Sequence, residues 1–142
     1  MQQAESVRKQ LTSMMKRKNI PLVSRAFESR DYYPEIRRCV VAGMFMKVAH
    51  LERTGQYLTV KDNQLVSIHP SSVLDTKPAW VCFEEFSLTT KQFIRTCTGV
   101  RVEWLLDIAP HYYDLENFPD GEAKYDIEQA LRRVAAAAKR KS

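Results

Sequence analysis

Strand patterning is clearest in the stretch GQYLTVKDNQLVSIH (residues 55–69). Two β-rich runs, YLTV (57–60) and LVSI (65–68), flank the polar tetrapeptide KDNQ (61–64). Short β-branched and aromatic runs on either side of a polar turn are typical of a β-hairpin. Pro70 then ends the second strand, because proline cannot donate to a strand ladder. The stretch therefore predicts a chain built around antiparallel strands.

Two longer strands are predicted downstream, at about residues 79–88 and 93–100. The joint between them, residues 89–92, contains no glycine, so a tight two-residue turn is disfavoured and a wider loop is expected. The register stays open at this point. A two-residue loop would place Glu84 opposite Arg95, and a three-residue loop would break that pairing.

Helical periodicity flanks these strands on both sides. Residues 4–18 carry an apolar stripe at helical spacing, and a second helix is predicted from Asp31 to about Leu51. From Cys39 to Ala49 that helix is apolar almost all round, so we expect it to be central and buried. Three further elements are predicted after the strands, namely a short helix, a short extended piece able to close the sheet, and a terminal helix (residues 103–108, 111–114 and from 120 onward).

The predicted fold class is mainly β with helical additions (α+β). Four or five strands in so short a chain favour a small closed barrel, because closure removes exposed sheet edges, and the five-stranded OB-type barrel is the commonest small one. It is preceded by two helices and followed by a C-terminal helix. The predicted boundaries are a helical lead-in, the barrel, and a C-terminal helix with a basic tail (residues 1–53, 54–119 and 120–142).

The length and the net charge of the chain limit the kinds of partner that it is expected to bind. The chain has 142 residues with a net charge of +5, and residues 1–50 alone carry ten basic against four acidic residues. A basic region is typical of a solvated helix surface and also of a phosphate-binding face. The longest apolar run, residues 39–46, is far shorter than the roughly 20 residues of a membrane span, so no membrane partner is expected.

Motifs that carry catalysis are absent from the sequence. It contains no G-x-x-x-x-G-K-[ST], no G-x-G-x-x-G, no G-x-S-x-G and no H-E-x-x-H. Cys39, Cys82 and Cys97 have no C-x-x-C spacing, and we expect all three to be reduced and buried. No catalytic residue, cofactor site or metal site is predicted, so the chain alone is not expected to be an enzyme.

A binding surface is the remaining possibility. Small barrels hold single strands through aromatic platforms and basic residues. Lys61 and Asn63 lie at the tip of the first hairpin, and Lys91, Arg95 and Thr96 lie at and after the second joint. The lysines and the arginine can reach phosphates, while the asparagine and threonine can bond backbone or base edges. The competing interpretation is that Arg95 pairs with a neighbouring glutamate.

Three long strings resemble a known family. They are SRDYYPEIRRCVVAGMFMKVAH, HLERTGQYLTVKDNQLVSIHPSSVL and FSLTTKQFIRTCTGVRVEWLLDIAPHYYDLENFP (residues 29–50, 50–74 and 86–119). These strings resemble the C-terminal region of DEAH-box RNA helicases, in particular those of pre-mRNA splicing (intron-lariat release) and ribosome biogenesis. The resemblance spans residues 4–134.

The resemblance implies a function and a set of partners. It implies an OB-fold accessory domain that binds single-stranded RNA and couples to the RecA-like domains of a nuclear ATP-dependent helicase, which also occurs in the nucleolus and cytoplasm. ATP and magnesium would belong to the full-length parent and not to this chain. The RNA contacts it implies are Lys61, Asn63, Lys91, Arg95 and Thr96. The alternative is a docking module for G-patch activator proteins with no RNA binding of its own.

Overall fold

The computed structural model describes all 142 residues, in two compact units divided after Glu35. The first unit contains helix α1 (Gln2–Arg17), which carries the predicted apolar stripe but buries none of its side chains. After α1, Phe27 packs edge to face against Tyr32 and Tyr33, with ring centroids 5.2 and 6.4 Å apart. Edge-to-face contact is a preferred geometry of aromatic pairs, because the positive ring edge meets the negative ring face.

The predicted second helix is wrong over its last third. Helix α2 (Tyr32–Met44) ends early, and residues 48–51 form strand β1 (Val48–Leu51) instead. Val48 and Ala49 are both fully buried, but they belong to two different apolar clusters. Successive side chains reach opposite faces in a strand and not in a helix. The expected burial of α2 is also wrong, since Val41 is its one buried residue.

A closed five-stranded barrel forms the second unit, which confirms the predicted fold class. The strand order around the barrel is β1-β2-β3-β5-β4, and every neighbouring pair is antiparallel except β3 with β5. The four strands after β1 match the two predicted hairpins closely; they are β2 (Tyr57–Thr59), β3 (Leu65–Ile68), β4 (Trp80–Leu88) and β5 (Gln92–Val100).

Closure of the barrel does not use the predicted strand at residues 111–114. Strand β1 closes it, because His50 lies opposite Leu58 of β2 on one side and opposite Trp80 of β4 on the other. Residues 111–114 form turns in which the buried Tyr113 donates a hydrogen bond to the Phe45 carbonyl at 2.7 Å. With both edges of β1 already paired, no ladder position was left for a sixth strand.

Two apolar layers lie on either side of β4 and β5. The barrel interior contains Ala49, Tyr57, Val66, Val81, Phe83 and Ile94. The outer layer packs Trp80, Cys82 and Val100 against helices α3 (Val102–Ile108) and α4 (Glu122–Lys141). None of the helices combines the length and the apolar character needed to cross a membrane.

Candidate nucleic-acid interface

The loop between β4 and β5 has three residues, Thr89 to Lys91. Leu88 pairs with Gln92, and Glu85 pairs with Arg95, so the wider loop is confirmed and the Glu84–Arg95 pairing of a two-residue turn does not form. The backbone N–H of Thr89 donates to the Lys91 carbonyl at 3.0 Å, which holds the loop closed. The Lys91 side chain is exposed at its tip.

Thr96 interrupts the regular alternation of β5. Its φ is +54°, a conformation that is strained for a β-branched residue. Ile94 and Cys97 both contact the barrel interior, so two consecutive residues, Arg95 and Thr96, lie between inward-facing positions where an ideal strand has one. Both side chains are therefore free to lie outside the interior, and Thr96 is exposed.

The opposite strand follows the same change of phase. Phe83 pairs with Cys97, and Phe86 pairs with Ile94, which leaves Glu84 and Glu85 together outside the interior. Both glutamates are exposed, whereas strict alternation predicts that neighbours lie on opposite faces. Lys47 donates to the Glu84 carbonyl at 2.8 Å and so satisfies a backbone group at the irregular position.

Arg95 lies on the outer face of β5 without a carboxylate partner. Its ladder neighbour is Glu85, but no ion pair joins them, so the competing interpretation of a structural Arg–Glu pair is not realised. Instead, Arg95 Nη2 contacts His69 Nε2 at 2.9 Å, and Arg95 Nε is buried with no hydrogen-bond partner. No carboxylate neutralises the guanidinium, so its charge is available to attract an anion to this face.

His69 and Phe93 complete this part of the surface. His69 Nε2 lies 2.9 Å from Arg95 Nη2, while His69 Nδ1 lies 2.7 Å from Ser71 Oγ and accepts from the Ser71 backbone N–H at 3.1 Å. The imidazole and the Phe93 ring meet edge to face with centroids 5.3 Å apart. Both rings are half-buried, so each has an anchored edge and an accessible part. We call Arg95, His69 and Phe93 the outer-face cluster.

Lys61 and Lys91 lie at one end of the barrel. Gln92, which follows Lys91, donates from Nε2 to Gln64 Oε1 at 3.3 Å and so links the start of β5 to the β2–β3 turn. Lys61 is exposed on that turn. Strands β3 and β5 run parallel, so both begin at this end of the barrel. The β2–β3 turn and the β4–β5 loop therefore each place one lysine where these two strands begin.

Asn63 has a turn-forming role in the structure. Its φ is +51°, a left-handed conformation that asparagine tolerates, and its N–H donates to the Thr59 carbonyl at 3.0 Å. It also lines a small crevice with Phe118 and Gly121. Of the five predicted site residues, Arg95 and Thr96 are adjacent on β5, Lys61 and Lys91 share one end of the barrel, and Asn63 is set into the turn.

Sequence reasoning missed His69 and Phe93. His69 directly precedes the strand-ending Pro70, and Phe93 opens a predicted strand, so neither position stands out as a binding residue. The parallel β3–β5 pairing brings them together, since Ser67 lies opposite Phe93 and the chain reaches His69 two residues later. An available signal was the alternation F-x-R in residues 93–95, which puts an aromatic ring and a cation on the same strand face.

A second polar cluster lies beside α4. Buried His50 lies between Glu52 and Asp126, at 3.5 and 3.7 Å, and Trp80 Nε1 donates to Asp126 at 2.6 Å. Burial raises the pKa of Glu52. The backbone N–H of Arg53 donates to the Glu122 carboxyl on α4 and so lowers the pKa of Glu122. No group of three or more metal-ligating side chains is placed to hold a metal ion. The cluster fastens α4 to the barrel.

The fold and the outer face together define a small oligonucleotide-binding barrel. In such barrels the β2–β3 side and the β1–β2 and β4–β5 connections hold the ligand. Comparison with known protein families matches residues 36–112 to the family described as oligonucleotide/oligosaccharide-binding (OB)-fold. The chain belongs to that family, an OB-fold found in the C-terminal regions of helicases, and it is an OB-fold domain of the nucleic-acid-binding kind.

Proposed function

We propose that this domain binds single-stranded RNA and couples it to the RecA-like motor of a DEAH-box helicase of pre-mRNA splicing and ribosome biogenesis. The observation that carries RNA binding is Arg95, a guanidinium without a carboxylate partner beside two half-buried rings on the outer face. A cation beside aromatic rings suits a strand that presents phosphates and unstacked bases together. The splicing assignment rests on the long strings that resemble DEAH-box helicases.

The domain acts in this proposal without catalysis of its own. It supplies a surface for RNA, while the RecA-like domains of the parent bind ATP and magnesium and hydrolyse the nucleotide. The proposed place of action is the nucleus, with the nucleolus and cytoplasm as further compartments. G-patch activator proteins are proposed partners of the same parent.

A second candidate function is protein docking without RNA binding. Phe86 and Leu88, near the end of the β4–β5 hairpin, are 43% and 71% exposed. Exposed apolar side chains close together are typical of protein interaction sites. Docking through them would resist salt, because apolar contacts are not screened, whereas phosphate contacts weaken as salt rises.

Fluorescence anisotropy with a labelled oligo-U of about 10 nucleotides, within the site size of one OB-fold, separates the two functions. We expect weak binding by the wild type that falls with salt. Arg95→Gln should reduce affinity roughly tenfold, as for loss of a charge-assisted hydrogen bond. Phe93→Ala should cost about 1–3 kcal/mol if a base stacks on the ring.

The matched control is Lys124→Gln. This lysine lies on α4 and is paired with Asp120 at 2.9 Å, whereas no ion pair engages Lys91. Its substitution removes the same formal charge as Lys91→Gln. We expect Lys91→Gln to weaken binding and Lys124→Gln to leave it unchanged. If the wild type does not bind at high protein concentration and low salt, the RNA proposal is wrong and docking remains.

A further inference from the structure

A second basic surface lies on the helical side of the domain, apart from the outer-face cluster. It is made by arginines of α2, of the β5–α3 junction and of α4. We call it the helical flank: Arg37, Arg38, Arg101, Arg132, Arg133 and Arg140.

Trp104 organises the first part of the helical flank. The guanidinium carbons of Arg37 and Arg101 lie 5.1 and 5.7 Å from the centroid of its ring. The indole itself is 7% exposed, so it is a fixed base on which both cations rest. Two like charges held on one ring repel each other, and an anion between or beside them would relieve that repulsion.

Neither of these two arginines has a carboxylate partner. Arg37 donates to the Gly99 carbonyl at 3.3 Å and leaves a buried Nε without any partner, and Arg101 is exposed without an ion pair. The nearby acids of α3 are already engaged elsewhere. Glu103 contacts Arg133 at 3.4 Å and Asp107 contacts Arg38 at 2.6 Å. An excess of positive charge therefore remains at this position.

The second half of α4 extends the positive charge. All residues from Leu131 to Ser142 are exposed, and they include five basic residues and no acidic one. Arg133 and Arg140 are seven residues apart, so they lie one above the other after two turns. They lie at least about 120° around the helix from the buried Ile127, which faces the core. The Arg133–Glu103 contact joins this row of cations to the α3 side.

We propose that the helical flank is a second nucleic-acid site, which binds the phosphodiester backbone of an RNA duplex. Its ligand groups are guanidiniums, which pair with phosphates through parallel N–H donors, and a duplex presents more phosphates per unit length than a single strand does. The proposal extends the proposed function without resting on the outer-face cluster. A duplex is therefore a ligand of the helical flank, whereas a short unpaired strand is a ligand of the outer face.

The test is binding of a duplex RNA of about 20 base pairs across a salt series. The variant is Arg101→Gln with Arg140→Gln, because both side chains are exposed and neither forms an ion pair. The control is Lys9→Gln with Lys124→Gln, which removes the same formal charge from lysines paired with Glu5 and Asp120. We expect the variant to bind duplex roughly tenfold more weakly, with a salt slope lower by about 1.8 for two phosphate contacts.

The remaining outcomes separate this proposal from the proposed function. Arg95→Gln should leave duplex binding unchanged, and the flank variant should leave binding of the 10-nucleotide oligo-U unchanged. Equal duplex affinity and equal slope in variant and control would overturn the helical flank, as would failure of the wild type to bind duplex. Neither result would bear on RNA binding by the outer-face cluster, because the short oligo-U tests that proposal separately. Circular dichroism melting checks that both double variants stay folded.

Discussion

The two halves of the β4–β5 hairpin share strands and one register but differ in burial. We call residues 80–83 with 97–100 the lower half and residues 84–88 with 92–96 the upper half. In the lower half, no residue of the β4 segment is more than 8% exposed. In the upper half, Leu88 is 71% exposed, although it is hydrogen-bonded in the same ladder.

This difference teaches that pairing and burial are set by different neighbours. The lower half lies between the barrel interior and α3 and α4, so both of its faces are covered. No residue of the upper half belongs to the apolar cluster that includes α3 and α4, and the upper half begins at the change of phase at Thr96. Cooperative stability should reside in the lower half, and ligand contact in the upper half and its neighbour β3.

The largest expected effect is the difference between a buried and an exposed cysteine in their rates of alkylation. Cys82 lies in the lower half, where burial raises the pKa of its thiol to about 12. Cys39 on α2 is exposed, so the expectation that all three cysteines are buried was wrong for it. At pH 8 iodoacetamide should modify Cys39 quickly, and Cys82 only after global unfolding, an opening of about 5–15 kcal/mol. Peptide mass spectrometry over time reports both; equal labelling rates in the folded protein would contradict the account.

Truncation of the lower half should cost several times more stability than truncation of the upper half. Trp80→Ala removes a ring that is 2% exposed and a hydrogen bond to Asp126, and it should cost about 3–5 kcal/mol in the free energy of unfolding. Phe86→Ala, its upper-half control, removes a ring that is 43% exposed and should cost about 1 kcal/mol. Urea denaturation measures both. Equal losses would mean that the upper half is part of the cooperative core.

Relief of strain at the junction of the halves should stabilise the protein. Thr96 holds φ at +54°, which glycine adopts without a Cβ penalty. Thr96→Gly should therefore raise the free energy of unfolding by about 1 kcal/mol. Thr98→Gly is the control, because it lies on the same strand at ordinary φ and should lower stability. A loss of stability in both variants would show that Thr96 is not strained.

The smallest expected effect is on how stability depends on pH. It comes from the polar cluster beside α4 that contains His50, Glu52 and Asp126. Burial raises the pKa of Glu52 in the folded state, so the folded protein holds that proton more tightly than the unfolded chain. Stability from this group therefore falls as pH rises through and above its usual value of 4.5. Glu52→Gln keeps the shape without the charge. Its stability relative to wild type should rise between pH 4 and 7 in thermal melts, and a relative fall would reverse the sign.

Local sequence signals predicted the strands of the two hairpins well. The polar KDNQ turn and the glycine-free joint after Leu88 gave correct hairpins, because short-range turn chemistry decides both. Residues 48–51 were missed, since a continuous apolar run is compatible with a buried strand as well as with a helix. Only the ladders to β2 and β4 distinguish them.

The outer-face cluster was predictable in part. The positions of Arg95 and Lys91 came from composition and predicted loops, but the partner of Arg95 depended on register. Registers differing by one residue change which glutamate lies opposite, and the observed partner is a histidine directly after the parallel strand β3. A contact between residues 26 positions apart cannot be obtained from local pattern.

The most direct test of the division into halves is a titration of the isotope-labelled protein with oligo-U, followed through its backbone amide chemical shifts. The account predicts that the largest changes fall on Lys91, Phe93, Arg95 and His69, while the amides of residues 80–83 and 97–100 stay unchanged. Changes centred on the lower half, or spread evenly over both halves, would contradict an RNA-binding surface on the upper half and β3.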